Sequence, residues 1–235
     1  MHEGNLRSRA RARVPMLSVA HRRARLQYAR TYQNWILRQW NNVLFTDESR
    51  FCLFRSDGRV RVWRRNGQRF EENCVEPVRA FGCGSVMVWG GISMHERTNL
   101  VIIPPPGLTG ERYVEEILRP HIIPMRRQMG RNFILMHDNA RPHTARIALN
   151  FLEQNNIEVL PHPAMSPDLN PIEHVWDMMG RRLRDVERQP TNLQELGAIL
   201  QQIWHEIPQA TIRSCINMHD RLQEVIRRRG GNTSY

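Results

Sequence analysis

Lysine is absent from the sequence, and all 34 basic residues are arginine. Without lysine the chain cannot contain a phosphate-binding loop that ends in Gly-Lys-Ser/Thr, nor a catalytic Schiff-base lysine. Acidic residues are fewer than basic ones: there are 23 aspartates and glutamates, so the formal net charge is +11. Compositional drift in the source genome would explain arginine in place of lysine, but not the surplus of base over acid. Since guanidinium groups pair with phosphate through two hydrogen bonds, this surplus predicts a nucleic-acid partner.

Cysteine is scarce as well, and the chain has no CxxC pair. The four cysteines are Cys52, Cys74, Cys83 and Cys215. Isolated cysteines favour free thiols in a reducing compartment over disulfides. The apolar runs are much shorter than the roughly 18 residues of a membrane helix, and no signal-peptide pattern opens the sequence. We therefore predict neither a membrane protein nor a secreted one.

The histidines do not have the spacing of a zinc site. The chain contains no HExxH motif and no Cys/His quartet, so it fits no tetrahedral template. Zinc is therefore not predicted at the histidines near the candidate motifs, which are His137, His143, His162 and His174.

The length of the chain suits one large domain better than two. We predict a basic linker segment with a helix over residues 1–40, followed by a core over 41–235 with a hairpin or loop inserted at about 57–84. The arginine run at 7–13 fits a nuclear address, an arm that grips phosphates, a transit-like segment or a solvated tail. The sequence leaves these four readings open.

Hydrophobic periodicity predicts an α/β protein. Strands are predicted at 43–54, 59–63, 85–94, 99–103, 133–137 and 157–160. Helices are predicted at 21–40, 111–129, 142–155, 171–187, 193–206 and 209–228, with a kink or split at Pro120 and Pro124. This order favours a mixed sheet covered by helices on both faces. If the strand at 133–137 pairs parallel to the strand at 43–54, Asp47 and Asp138 become neighbours.

Three carboxylates carry the candidate chemistry. Asp47 lies within an apolar strand, where an unpaired charge costs several kcal/mol, so it needs an arginine or a metal ion as partner. Asp138 follows a buried strand; it either accepts hydrogen bonds from its own loop or lies at a ligand site. Glu173 is the third helical residue after Asn170, which predicts a capping box, and a capped helix start also fixes where the carboxylate points. The other acids near these motifs, Asp168, Asp177 and Asp185, are predicted to be solvated.

These acids lie in three ordered motifs that closely resemble the Tc1/mariner transposases, and the Tc1 branch in particular. The motifs are FTDESRF at 45–51, HDNARPH at 137–143 and DLNPIEHVW at 168–176. Thirty-four residues separate Asp138 from Glu173, which is the spacing of that branch's DD34E signature. Two further segments, GRVRVWRR at 58–65 and FGCGSVMVWGGI at 81–92, are also similar to the family, so the resemblance runs from about Val14 to the C-terminus.

The resemblance implies an RNase H-like fold, a mixed five-stranded sheet flanked by helices, with Asp47, Asp138 and Glu173 as the catalytic and metal-binding triad. It implies two Mg²⁺ or Mn²⁺ ions and, as partners, the double-stranded DNA of transposon ends and target sites. The expected reaction is DNA strand cleavage and strand transfer in the nucleus, by a chain compatible with a homodimer. We predict DNA contacts at Arg59, Arg61, Arg64, Arg65, Arg141, His143, Arg181 and Arg182.

Two departures from the family pattern bear on function. Family members carry paired helix-turn-helix modules before the catalytic domain, whereas this sequence opens near the linker, so it is not expected to recognise specific transposon ends. Cys83 stands where the family usually has glycine. Two other functions stay open: a catalytically idle DNA-binding remnant of a mobile element, and a general RNase H-like nuclease that hydrolyses DNA without strand transfer.

Overall fold

The computed structural model describes residues 15–53 and 84–234. Within them one sheet contains β1 (Val43–Cys52), β2 (Ser85–Ile92), β3 (Val101–Ile103), β4 (Ile134–Met136) and β5 (Glu158–Val159). Five of the six predicted strands are therefore confirmed, each within a few residues of its predicted bounds. The sixth, at 59–63, lies outside the described residues together with 57–83 of the insertion and with Arg59, Arg61, Arg64 and Arg65.

The strand order in the sheet is β3-β2-β1-β4-β5. Strand β2 runs antiparallel to β1 and β3, whereas β4 runs parallel to β1 and β5. The mixed five-stranded sheet expected from the family resemblance is confirmed. Parallel pairing places Val43 beside Ile134 and Phe45 beside Met136, so β4 ends where the central part of β1 begins. The residues that follow these pairs, including Asp47 and Asp138, are brought together by this register.

Helices flank the sheet, and their bounds among the described residues are α1 (Val19–Tyr32), α2 (Leu37–Trp40), α3 (Gly110–Arg112), α4 (Ile123–Met129), α5 (Arg141–Thr144), α6 (Arg146–Gln154), α7 (Ile172–Asp185), α8 (Leu193–Glu206), α9 (Gln209–Cys215) and α10 (Met218–Arg227). A π-helical segment spans Tyr113–Ile122, and a 3₁₀ turn spans Pro167–Leu169. In this part of the chain, no helix is both long and apolar enough to cross a membrane.

Three regions predicted as single helices each form two helices, because hydrophobic periodicity continues across a short break and does not register it. Short non-helical segments separate α1 from α2, α5 from α6 and α9 from α10. At the second break Ala145 has an extended backbone, with φ −61° and ψ 139°. The opposite occurs at Pro120, where the helix is not split and the helical stretch runs unbroken from Gly110 to Met129. Its π-helical turns accommodate a proline that cannot donate a backbone hydrogen bond.

The alternation of side chains along the strands divides the core between the two faces of the sheet. On one face Val43, Phe45 and Met136 pack in a cluster with residues of α7, α8, α9 and α10. On the other face Leu44 and Leu135 pack with the π-helical segment and α6. Asp47 therefore points to the side of α7, and Glu48 points to the side of the π-helical segment. Both faces contribute to the site described below.

A buried ion pair joins the N-terminal and C-terminal ends of the described fold. The guanidinium of Arg25 in α1 is fully buried, and two of its nitrogens donate to the Asp168 carboxylate at 2.6 Å each. It also donates to the carbonyls of Gly230 and Gly231, while Thr233 donates its N–H and hydroxyl to Asp168. The prediction of a solvated Asp168 is wrong, because long-range partners surround a carboxylate that looks like a loop acid in sequence.

Candidate active site

Asp47 and Asp138 meet at the point where β1 and β4 diverge. Each lies two residues beyond the last parallel pair, Phe45 with Met136. The Thr46 hydroxyl donates to the Met136 carbonyl at 2.8 Å, which closes this end of the pairing with a side-chain hydrogen bond. The conditional prediction that parallel pairing makes Asp47 and Asp138 neighbours is confirmed, since Asp138 contributes to the electrostatic environment of Asp47.

Glu173 enters the same region from the first turn of α7. The reciprocal capping box predicted for Asn170 and Glu173 does not form. Asn170 Oδ1 accepts from the backbone N–H of Ile172 at 3.5 Å, whereas the N–H of Glu173 donates to the Asn170 carbonyl. The Asn170 amide also donates to the Thr46 carbonyl at 3.2 Å and ties the start of α7 to the strand that carries Asp47. Glu173 is thus free of a capping role, and its carboxylate lies in the field of Asp138.

Mutual repulsion marks these three acids as one electrostatic unit. Burial, followed by the charges of Glu173 and Glu48 and more weakly of Asp138, raises the pKa of Asp47 to about 8. Burial and the charge of Asp138 also raise the pKa of Glu173, although the residue is exposed to solvent. Carboxylates whose charges raise the pKa of their neighbours in this way ionise jointly only when positive charge neutralises them. A bound cation with a preference for oxygen ligands would supply that charge.

An indole holds one oxygen of Asp47. Trp176, one turn after Glu173 in α7, donates its Nε1–H to Asp47 Oδ2 at 3.2 Å. Its ring stacks on Trp204 with 5.4 Å between centroids. The pair packs directly over Gly90, the partner of Asp47 in β2, where a Cβ atom would lie 3.0 Å from both rings. Glycine at this strand position therefore leaves room for the indole that orients Asp47.

Glu48 and His143 form a second group of charged side chains, which is joined to Asp138 by hydrogen bonds. His143 Nδ1 donates to Asp138 Oδ1 at 2.7 Å, and its Nε2 donates to Glu48 Oε1 at 3.2 Å. Burial alone would lower the pKa of His143, but the two carboxylates outweigh burial and raise the pKa to about 10. The hydrogen bond from His143 in turn lowers the pKa of Asp138. The candidate site thus contains a cationic imidazole that neutralises part of its negative charge.

Aromatic stacking fixes the plane of the His143 ring. The ring centroids of Tyr113 and His137 lie 4.4 and 4.8 Å from that of His143. A 2.9 Å hydrogen bond joins the Tyr113 hydroxyl to His137 Nδ1. Burial lowers the pKa of His137 to about 3, so this second imidazole is neutral beside the charged one. Sequence reasoning missed Glu48 and Tyr113 because neither motif spacing nor periodicity relates them to Asp138.

The predicted DNA contacts that the structure describes differ in their exposure. Arg141 is exposed at the start of α5, and Arg182 is partly exposed on α7. Arg181 is exposed but pairs with Asp177 one turn earlier, with 3.0 Å between nitrogen and oxygen. His143 is buried, and both ring nitrogens are occupied by carboxylates. DNA contact by these residues stays a prediction.

Comparison with known proteins defines the class to which this fold and site belong. The family model of the DDE superfamily endonucleases matches residues 42–197. The fold is shared with solved Mos1 transposase structures: a paired-end complex with the left transposon end superposes with a TM-score of 0.82 at 20% identity, over 98% of this chain and 68% of that one. The Mos1 catalytic domain alone gives a TM-score of 0.71 at 19% identity, over 95% of this chain and 100% of that one.

Closer relatives in sequence are transposases encoded by mobile elements. The Tcb1 transposase of Caenorhabditis briggsae is 34% identical over 98% of this chain and 84% of its own length. The Tc1 transposase of Caenorhabditis elegans is 32% identical over 100% of this chain and 85% of its own length. The chain therefore belongs to the Tc1/mariner family of transposases. It contains a transposase catalytic domain with the RNase H-like DDE fold, and it is an endonuclease by family.

Proposed function

We propose that Asp47, Asp138 and Glu173 together hold divalent metal ions, Mg²⁺ or Mn²⁺ and two in number, and catalyse DNA strand cleavage and strand transfer. The observation that carries this proposal is the convergence of three acids from β1, the end of β4 and the start of α7. Their mutual repulsion is costly in the absence of a cation. The solved Mos1 complexes with Mg and with Mn support the choice of ion.

The donor set fits a hard cation. All three proposed ligands are carboxylates, and oxygen ligands together with substrate phosphate are what Mg²⁺ takes in proteins. The ligand atoms of Glu48, Asp138 and His143 also lie within 4.8 Å of one another. However, His143 uses both nitrogens to donate to Glu48 and Asp138, so this second set fits a positioning role better than a cation site. When bound, the ions would activate the attacking oxygen and stabilise the leaving oxygen.

The protein's own residues prepare the site for two successive reactions on phosphodiesters. Trp176 orients Asp47, and Asn170 anchors the start of α7 so that Glu173 faces the two aspartates. Hydrolysis at this site would nick the transposon end, and attack by the resulting 3′-hydroxyl would join that end to target DNA. One site can serve both reactions because only the attacking nucleophile changes. The Mos1 strand transfer complex, a structure of the same fold, supports the second reaction.

Incubating the purified chain with supercoiled plasmid and short DNA ends in Mg²⁺ or Mn²⁺ tests this function. We expect nicked plasmid and, with a free 3′-hydroxyl on the added DNA, joined products; EDTA should abolish both. An RNase H-like nuclease would give nicks without joined products, and an idle DNA-binding remnant would give neither. The absence of both products would contradict the proposal entirely. Nicks without joined products would restrict it to hydrolysis.

Double-stranded DNA, as transposon ends and as target, is the proposed partner, and arginines provide the proposed contacts. Arg182 is the most informative of them among the described residues, because the neighbouring Arg181 is already paired with Asp177. We expect Arg182→Ala to weaken DNA binding for all sequences alike and to reduce the slope of log K against log salt by about 0.9, the value for one phosphate contact. Fluorescence anisotropy over a salt series measures both quantities. An unchanged slope would remove Arg182 from the interface.

Three further assignments follow from this function. Action on chromosomal DNA places the protein in the nucleus. The Mos1 paired-end complexes support a homodimer for this chain. The division into a linker over 1–40 and a core over 41–235 stays a proposal; α1, within the linker, packs against α10 and so belongs to the same folded unit.

A further inference from the structure

We propose that His143 is a positioning residue for Asp138, which fixes one oxygen of that carboxylate so that the other faces the reacting phosphate. This inference rests on the proposed function, since it assigns a role within the same site. The positioning role takes the place of the DNA contact predicted for His143, because a side chain that is only 2% exposed does not reach a phosphate.

The hydrogen bonds of Asp138 are concentrated on one oxygen. Oδ1 accepts from His143 Nδ1 at 2.7 Å and from the backbone N–H of Ala140 at 2.9 Å. Within residues 15–53 and 84–234, no hydrogen bond reaches Oδ2. The carboxylate is 48% exposed, so Oδ2 is open to solvent or a ligand. A carboxylate held by one oxygen can rotate little about its Cβ–Cγ bond. The orientation of the second oxygen is therefore fixed before any ligand binds.

The His143 ring is itself held on three sides. Its Nε2 donates to Glu48, which follows Asp47 directly in β1, so the imidazole links the strand of the first aspartate to the loop of the second. His137 stacks against the ring at an interplanar angle of 22°, and Tyr113 packs against it at 46°. This enclosure leaves the ring one orientation, with Nδ1 toward Asp138 and Nε2 toward Glu48. His143 therefore affects the reaction only by orienting Asp138, because its ring does not reach the substrate.

Two substitutions at this position separate the two hydrogen bonds. The amide nitrogen of asparagine lies near the position of Nδ1, and that of glutamine lies near the position of Nε2. His143→Asn therefore keeps the donor to Asp138, whereas His143→Gln keeps the donor to Glu48. Both variants lose the ring stack and its positive charge, so each is the matched control for the other in packing and electrostatics.

The readouts are Mn²⁺ affinity of the full chain by isothermal titration calorimetry without DNA, metal-dependent nicking, and resistance to urea. We expect His143→Gln to lose about 10- to 100-fold in Mn²⁺ affinity and His143→Asn to stay within about threefold, as for loss and retention of an outer-shell partner. Nicking below metal saturation should follow the same order, while the two urea midpoints should agree. Equal Mn²⁺ affinities, or weaker binding by His143→Asn, would show that the ring has a structural role only.

Two additional variants keep the outcomes distinguishable. If Asp138→Asn binds Mn²⁺ and nicks DNA like the wild type, the proposed function fails; if it is inactive while both His143 variants behave alike, only the positioning role fails. Glu48→Ala removes no ring of the stack, and it is the variant to use if the His143 variants do not fold. It removes one support of the ring, and we expect Mn²⁺ affinity to fall about tenfold. Unchanged affinity in that variant would overturn the inference.

Discussion

Asp138→Asn, Asp47→Asn and Glu173→Gln are each expected to abolish metal-dependent nicking while the chain stays folded. The loss should exceed the roughly 100-fold cost of removing an outer-shell partner, because each acid is a proposed ligand itself. The stability of Asp47→Asn in particular should change little. Burial and neighbouring acids raise the pKa of Asp47 to about 8, so without metal it is mostly protonated at neutral pH, and asparagine resembles that neutral form.

Glu173→Gln is the most discriminating of these variants. A glutamate at the third position of a helix often closes a capping box, and its loss then lowers helix stability. Here the side chain that accepts a backbone N–H at the start of α7 is Asn170 and not Glu173, so lost capping would not account for lost activity in Glu173→Gln. Asp185→Asn, an exposed acid at the other end of α7, is the matched control and should nick normally. Plasmid nicking and urea unfolding of all four variants provide the measurement. Normal nicking by Asp138→Asn would end the assignment of the triad.

Arg25→Met is expected to destabilise the fold by roughly 3–5 kcal/mol, because it leaves the buried Asp168 carboxylate without its charged partner. Arg25 is fully buried, and both of its contacts to Asp168 are 2.6 Å long. Arg119→Met is the control: Arg119 makes a solvent-exposed pair with Glu115 at 3.0 Å, and such pairs contribute little to stability. Urea unfolding at neutral pH compares the two. Equal losses would show that the buried pair contributes no more than an exposed one.

Acid should reduce the difference between the wild type and Arg25→Met. Burial alone would raise the pKa of Asp168, but the hydrogen bonds from Arg25 and Thr233 outweigh it and hold the pKa below its ordinary value of 3.8. A group with a lowered folded-state pKa contributes stability above its unfolded value and loses it as the pH falls through the folded value. The contribution of the pair to wild-type stability should therefore persist down to about pH 4 and decline in stronger acid. The variant should gain stability at a higher pH than that, because burial without Arg25 raises the pKa of Asp168 and the carboxylate takes up a proton. A difference that stays constant from neutral pH to strong acid would show that Asp168 is not responsible for it.

The backbone of the site could be predicted from the sequence because its signals are local. The apolar strand before Asp138, the alternation around Asp47 and the proline-rich approach to Glu173 are each readable within a dozen residues. Parallel pairing of two such strands is enough to make Asp47 and Asp138 neighbours. The order of strands and helices likewise predicted a mixed sheet. These features depend on periodicity and chain order, which the sequence contains.

The supporting residues could not be predicted, because they are joined by contacts between distant parts of the chain. The hydrogen bond between His143 and Glu48 spans 95 residues, and that between Trp176 and Asp47 spans 129. Period-two alternation places Glu48 on the face opposite Asp47, where nothing local suggests a shared site. Asn170 has the sequence features of a helix cap and accepts the Ile172 N–H, but its amide also donates to a strand carbonyl 124 residues away. In each case tertiary packing replaced the local role that the residue type suggests.

Thermal unfolding of the wild type and of Asp138→Asn in a Mn²⁺ series tests most directly whether the three acids form one metal-dependent site. A ligand that binds only the folded state stabilises it by about 2.7 kcal/mol at a concentration 100 times its dissociation constant. The wild type should therefore unfold at a progressively higher temperature as Mn²⁺ increases, and EDTA should reverse the shift. Asp138→Asn should show no shift over the same range. An equal rise in both proteins would place the metal elsewhere and contradict the assignment.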